Sequence, residues 1–298
     1  MAINRTVIPF AGCFTAGAQN NARLVFVGLP DDSQSSFRRG AARGPQRIRQ
    51  AYDGNCYNAT TESGVDLTDA VADLGDLPSK SSWELTARSY QEFAARLFQI
   101  GKIPFFAGGD HAVTVPVIAA LAELHTPVHI IQIDAHPDLY AEFEGSRDSH
   151  ACTMARALEM SHVASVTQLG IRTLNAAQMP LLERYRERIH LFCARDLTGE
   201  LPALSHIPHG APVYLTIDLD GFDPAFAPGV SHSVPGGLAP RQMLNFIQRA
   251  DWQLVGMDAV EANPEFDVND QTAILAARIL HEAMGGAARH IVNLATNF

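Results

Sequence analysis

The chain has 298 residues, a net charge of −10 and 47% hydrophobic side chains. That composition excludes disorder along most of the chain and suits one large α/β domain or two ordinary ones, with ample length for a buried core. The acidic balance argues against a nucleic-acid partner, because phosphate binding draws on counterion release by basic side chains; it favours cationic ligands and metal ions.

The first residues, MAINRTVIPFAGCFTAG, hold one Arg and no sustained apolar run, so no signal peptide is expected. No apolar stretch approaches the ~20 residues that span a bilayer, so no membrane partner is expected. Cys13, Cys56, Cys152 and Cys193 form no CxxC pair and read as reduced thiols, which makes the cytoplasm the expected compartment. Short β-branched runs then recur at Leu24–Gly28, Ile103–Ala107, Val128–Ile133, Val163–Gly170, Ile189–Phe192, Val213–Ile217, Leu254–Met257 and Ile291–Leu294. Most are apolar on both parities, as strands buried on both faces are. Helical spacing appears between them over Glu84–Gln99, Thr114–Leu124, Ala176–Arg188, Arg241–Ala250 and Gln271–Met284. The polar stretch Asn55–Asp76 reads as a surface excursion. Strand and helix alternate without repeat or linker, so the expectation is one domain over residues 1–298: a parallel sheet covered by helices on both faces.

In such a sheet, ligands bind beyond the carboxyl ends of the strands. Three of those ends carry unusual text: Gly108-Gly109-Asp110-His111, Asp134-Ala135-His136-Pro137-Asp138, and Asp218-Leu219-Asp220-Gly221-Phe222-Asp223-Pro224. Side chains at i and i+2 on extended backbone point the same way, so Asp134, His136 and Asp138 can converge, as can Asp218 and Asp220. With His111, that aims four carboxylates and two imidazoles at one crevice. Four uncompensated carboxylates repel one another, whereas two divalent cations cancel their charge. Oxygen-rich ligands with a minority of imidazole suit manganese, with nickel or cobalt as substitutes. Asp110 reads as a helix N-cap, and Asp223-Pro224 as turn chemistry.

Together, GGDHAVTVP, IDAHPDLY, SHACTMARAL, LTIDLDGFDPAFAPGVSHSVPGGL and MDAVEANPEFD resemble the sequence blocks of the ureohydrolases (arginase, agmatinase and guanidinobutyrase), in family order. The resemblance implies a three-layer α/β/α sandwich with an eight-stranded parallel sheet, and two Mn2+ per chain. It implies one ion held by His111, Asp134, Asp138 and Asp218, and the other by Asp134, His136, Asp218 and Asp220. It further implies that a metal-activated hydroxide attacks a guanidino carbon, with Asp220 stabilising the intermediate. His150 aligns with the proton-donating histidine, and Glu261 with the carboxylate that grips the guanidinium. Asp258 reads as a supporting acid, a cap or a salt-bridge partner. His232 receives no chemical role. Family members are commonly trimers or hexamers, so the resemblance implies a homo-oligomer.

The animal-type arginase pattern has Asn where this chain has Tyr140, and an acid in the segment that here reads Gly170-Ile171-Arg172-Thr173-Leu174-Asn175. FEGSRDSHAC and PGVSHSVPGGL resemble agmatinases and the plant arginase branch. The expected reaction is therefore agmatine to putrescine plus urea, with arginine or 4-guanidinobutyrate as alternative substrates. Arg147 reads either as an anchor for a substrate carboxylate or as an ordinary surface arginine. Two further alternatives are a catalytically silent guanidine- or polyamine-binding relative and a one-metal deacetylase.

Overall fold

The computed structural model describes residues 22–52 and 58–296; Cys13 and Cys56 lie outside them. Eight strands form one sheet: β1 (Leu24–Leu29), β2 (Val71–Asp76), β3 (Ile103–Gly108), β4 (Val128–Ile133), β5 (Val163–Ile171), β6 (Ile189–Cys193), β7 (Pro212–Asp218) and β8 (Gln253–Val260). All pairings are parallel and the spatial order is β2-β1-β3-β8-β7-β4-β5-β6. Among the described residues, seven α-helices accompany them: α1 (Gly44–Ala51), α2 (Trp83–Gln99), α3 (Thr114–Ala120), α4 (Thr153–Glu159), α5 (Met179–Arg184), α6 (Pro240–Gln248) and α7 (Gln271–Thr296). Helices α1, α6 and α7 pack on one face of the sheet and α2, α3 and α4 on the other, with a separate apolar core under each set. This is the expected three-layer α/β/α arrangement. Among the described residues, no helix is long and apolar enough to cross a membrane.

The eighth strand is not the expected one. Ile291–Leu294 continues α7, whose Met284, Ala287 and Ile291 all meet the same core at helical spacing. The missing strand is β2, inside the stretch read as an excursion. It is a polar edge strand whose Asp73 and Asp76 both bind the buried Arg49 guanidinium, so its sequence lacks the apolar signature of a central strand. The expected helix Ala176–Arg188 shortens to α5, because Pro180 fits only the first turn. Helices α1 and α4 escape the periodicity reading at eight and seven residues.

The strand order fixes where chemistry can occur. The chain leaves β3 and crosses to β4, opening a gap that β7 and β8 later fill. The carboxyl ends of β3, β8, β7 and β4 therefore stand side by side around the reversal of strand order, where a crevice forms.

Candidate active site and metal centre

Each of these four strand ends delivers part of the site. His111 follows β3, Asp134, His136 and Asp138 follow β4, Asp218 ends β7 and Asp220 follows it, and Glu261 follows β8. The carboxylates converge through tight turns rather than through continued extended backbone. Asp134 Oδ1 accepts the His136 N–H at 2.6 Å and Asp218 Oδ1 accepts the Asp220 N–H at 2.9 Å. Asp220 Oδ1 accepts the Ala135 N–H at 3.0 Å, joining the β7 turn to the β4 turn. Gly221 permits this approach, since a Cβ there would stand 2.7 Å from the Asp134 nitrogen. Asp110 caps its helical turn through Ala112 N–H, as expected.

The six expected ligands meet. His111 Nδ1 lies 3.1 Å from Asp134 Oδ2, 2.9 Å from Asp138 Oδ2 and 3.6 Å from Asp218 Oδ2. His136 Nδ1 lies 3.0 Å from Asp220 Oδ2 and 3.5 Å from Asp134 Oδ1. Two ligand groups result, His111/Asp134/Asp218 and Asp134/His136/Asp220, with Asp134 common to both. His111 Nδ1 and Asp138 Oδ2 are close and fully buried, yet neither has a hydrogen bond of acceptable geometry. Two such buried atoms are satisfied by a cation that both can bind. Ligands ~2.1 Å from an octahedral ion stand about 3.0 Å apart at right angles, which is the spacing observed here. The residues thus fit a pair of divalent ions.

Electrostatics point the same way. Burial pushes the Asp218 carboxyl well above its usual range, reinforced by Asp220 and Asp134. Burial and Asp134 raise Asp138 to about 6. Burial opposes the charged form of both imidazoles, but the carboxylates outweigh it, lifting His111 well above its ordinary value and His136 to about 12. Without metal, the cluster holds protons that the ions must displace.

Beside the ligands lies a cavity of about 170 Å³. His150 and Glu261 meet in it: His150 Nδ1 donates to Glu261 Oε1 at 2.8 Å, and Glu261 Oε1 also accepts the His111 N–H at 3.0 Å. Glu261 takes a left-handed backbone, φ 64°, held by its N–H to Gly109 O at 2.8 Å. Its Oε2 is buried without a partner. Burial opposes protonation of His150, but Glu261 raises its pKa to about 9. Ser36 Oγ sits 3.0 Å from His150 Nε2. Arg147 stands elsewhere: it does not line the cavity, is largely exposed, and pairs with both Glu159 oxygens at 3.0 Å. The anchor reading of Arg147 therefore fails, because a carboxylate on α4 already takes its guanidinium. His232, left without a role from sequence, lines the cavity with its ring 5.0 Å from that of His150.

The sequence profile of the arginase family matches residues 22–286. The chain belongs to the arginase family. Relatives include the mitochondrial arginase of Medicago truncatula, 36% identical over 270 residues that cover 86% of this chain and 79% of that protein. The mitochondrial agmatinase of Gallus gallus is 33% identical, covering 87% of this chain and 79% of that one. Among solved structures, the agmatine ureohydrolase of Thermoplasma volcanium superposes with a TM-score of 0.84 at 28% identity, covering 97% of each chain. The arginase-family protein is a hydrolase of guanidino groups with a binuclear divalent-metal site.

Several of its supporting residues escaped the sequence reading. His111 Nε2 lies 3.0 Å from Thr216 Oγ1, which donates to Asp258 Oδ1 at 2.6 Å. Asp258 Oδ2 also accepts from Tyr214 OH at 2.7 Å and Thr114 Oγ1 at 2.9 Å. Asp258 is thus the supporting acid, not a cap. The available signal was parity: Thr216 lies two residues before Asp218 on β7 and faces the same side. Ser36 belongs to the loop after β1, brought in where Gly109 packs flat against Asp31; a Cβ on Gly109 would stand 1.8 Å from Asp31 O. Gln178 occupies the N-cap position of α5 but caps nothing. It is 2% exposed, lines the cavity, and its Oε1 has no partner.

Proposed function

We propose that the protein hydrolyses agmatine to putrescine and urea at a two-manganese centre. One observation carries the choice of substrate: among the described residues, no Arg or Lys lines the cavity. Apart from its acids and imidazoles the lining is uncharged, with Tyr140, Thr173, Asn175 and Gln178 among its polar members beside Phe143 and Ala151. Asn175 Nδ2 donates to Tyr140 OH at 2.6 Å and its Oδ1 accepts the Ala177 N–H at 3.0 Å, so the unpartnered Gln178 Oε1 is the carbonyl oxygen that remains for an ammonium tail. A carboxylate tail finds no cation there. Arginine remains a second reading, favoured by the plant arginases among the relatives.

The chemistry that a divalent pair supplies when bound is a hydroxide nucleophile near neutral pH. The rest belongs to the chain. The unpartnered Glu261 Oε2 accepts from the guanidinium N–H groups and turns the planar carbon toward the ligand cluster. Asp220, on the cavity wall, faces the charge that develops as the carbon becomes tetrahedral. Glu261 accepts the His150 Nδ1 proton and raises its pKa to about 9, Nε2 faces the Ser36 hydroxyl at 3.0 Å and accepts the Ser36 N–H at 3.3 Å, and His150 is the group placed to pass a proton to the departing amine.

The test is urea release by manganese-loaded protein with agmatine, arginine and 4-guanidinobutyrate in parallel, with Asp218→Asn as the inactive control. The proposal expects the highest kcat/KM with agmatine. Preference for arginine or guanidinobutyrate overturns the substrate assignment and leaves the metal chemistry standing.

A further inference from the structure

His232 is the one imidazole at the cavity that the hydrolytic reading does not use. Its ring packs between those of Phe37, His136 and His150, with centroids 5.5, 5.9 and 5.0 Å away. One donor atom from each of His150, His232 and Glu261 can be chosen so that all three lie within 4.8 Å of one another. Two imidazoles and a carboxylate are the three-ligand set that zinc takes in open sites, with a fourth position left for water. The set is richer in nitrogen than the Asp-dominated cluster beside it, so it discriminates toward zinc where that cluster suits manganese. A second observation points to an absent ligand: Glu261 is 3% exposed and its Oε2 has no hydrogen-bond partner. Such a buried oxygen wants a cation or a donor.

We propose that His150, His232 and Glu261 form a third cation site, specific for zinc, whose occupation shuts the enzyme by taking the place of the substrate guanidinium. Zinc there draws on the same Glu261 carboxylate that the guanidinium needs and displaces the proton that His150 shares with it. The charge balance permits it. Asp134, Asp138, Asp218, Asp220 and Glu261 bring five negative charges and two divalent ions cancel four; the His150 proton balances the fifth, so a further cation enters by displacing that proton. The inhibitory consequence rests on the proposed hydrolytic function; the binding of zinc does not.

The experiment starts from protein carrying two manganese ions per chain and titrates it with zinc sulfate. Metal content after gel filtration, zinc-edge X-ray absorption and urea release are read on the same samples. The expected result is one zinc retained in addition to the two manganese, with two imidazoles in its shell. His232→Ala and His232→Thr should each weaken that zinc by about tenfold or more. Zinc that replaces manganese while the total stays at two overturns the proposal, as does equal zinc uptake by wild type and both variants. The absorption spectrum of the wild type decides even where a variant folds poorly. Where urea is released, zinc should raise the apparent KM and leave kcat unchanged; a fall in kcat at constant KM locates the ion elsewhere and refutes the inhibitory site. Absence of urea release from every guanidino compound would remove the proposed function but leave the zinc count as an independent result.

Discussion

Replacing Thr216 with Val tests whether the buried chain behind His111 sets the metal site. The Thr216 hydroxyl proton is committed to Asp258 Oδ1 at 2.6 Å, so its lone pair must receive the proton of His111 Nε2 at 3.0 Å. That fixes the Nε2–H tautomer and frees Nδ1 for a metal. Valine keeps the shape but offers no acceptor. His111 Nε2–H then stays buried without a partner, costing about 1–3 kcal/mol, and Asp258 loses one of its three hydroxyl donors. Removing such an outer partner typically weakens metal binding about 10- to 100-fold, which is about 1.4–2.8 kcal/mol, so the two estimates agree in scale. Competition against a manganese chelator reads the affinity directly. Thr216→Ser restores the hydroxyl and should recover most of the loss. An unchanged manganese affinity in a folded Thr216→Val protein would refute the proposed control of the tautomer. At saturating manganese, most activity should return.

Three other outcomes follow from the same geometry. Glu261→Gln should raise KM for every guanidino substrate and lower the pKa of His150 from about 9, because its charge partner is gone; unchanged KM and pH profile would remove Glu261 from both roles. Manganese binding to metal-free protein at pH 7 should release protons from the ligand cluster, those of His111 and His136 among them, read by calorimetry in buffers of different ionisation enthalpy. A heat independent of buffer would mean that the imidazoles are already neutral. His281, fully buried beside Arg278, is depressed to about 4, with burial the larger cause. Its folded value lies below its unfolded one, so its contribution is complete above pH ~6.5 and disappears as pH falls toward 4, a loss of about 3 kcal/mol at most. Denaturant titrations of metal-free protein should show this slope flattened in His281→Phe; equal slopes in both proteins would assign the acid sensitivity elsewhere.

What the sequence made legible was what needs concentrated charge or concentrated apolarity. The six residues proposed as metal ligands stand in three short blocks at the ends of apolar strands, and no packing role accounts for so many acids there. The central strands read clearly because both of their faces are buried. Edge strand β2 did not, since its aspartates answer to Arg49, which approaches from α1 and has no trace in the local pattern. Ile291–Leu294 misled for the opposite reason: a four-residue apolar window is too short to separate strand period from helix period. Thr216 and Asp258 were visible as residues, but their link to His111 depends on the register between β7 and β8, which pairs Thr216 with Asp258.

The substrate end of the cavity is illegible for a physical reason that also shapes how the enzyme could change substrate. Ser36 comes from the loop after β1, Tyr140 and Phe143 from the segment after β4, and Thr173, Asn175 and Gln178 from the segment after β5. All are neutral residues of kinds common in any surface loop, and only the fold brings them together. The catalytic end is fixed by turns that bind one another through backbone N–H groups, as where Asp220 holds Ala135. The tail end depends on side-chain contacts such as Asn175 to Tyr140, and on the Gln178 amide, whose oxygen meets no protein partner. A substitution on these loops can therefore introduce a cation for a carboxylate tail without disturbing a ligand, whereas no comparable change is open to the strand ends.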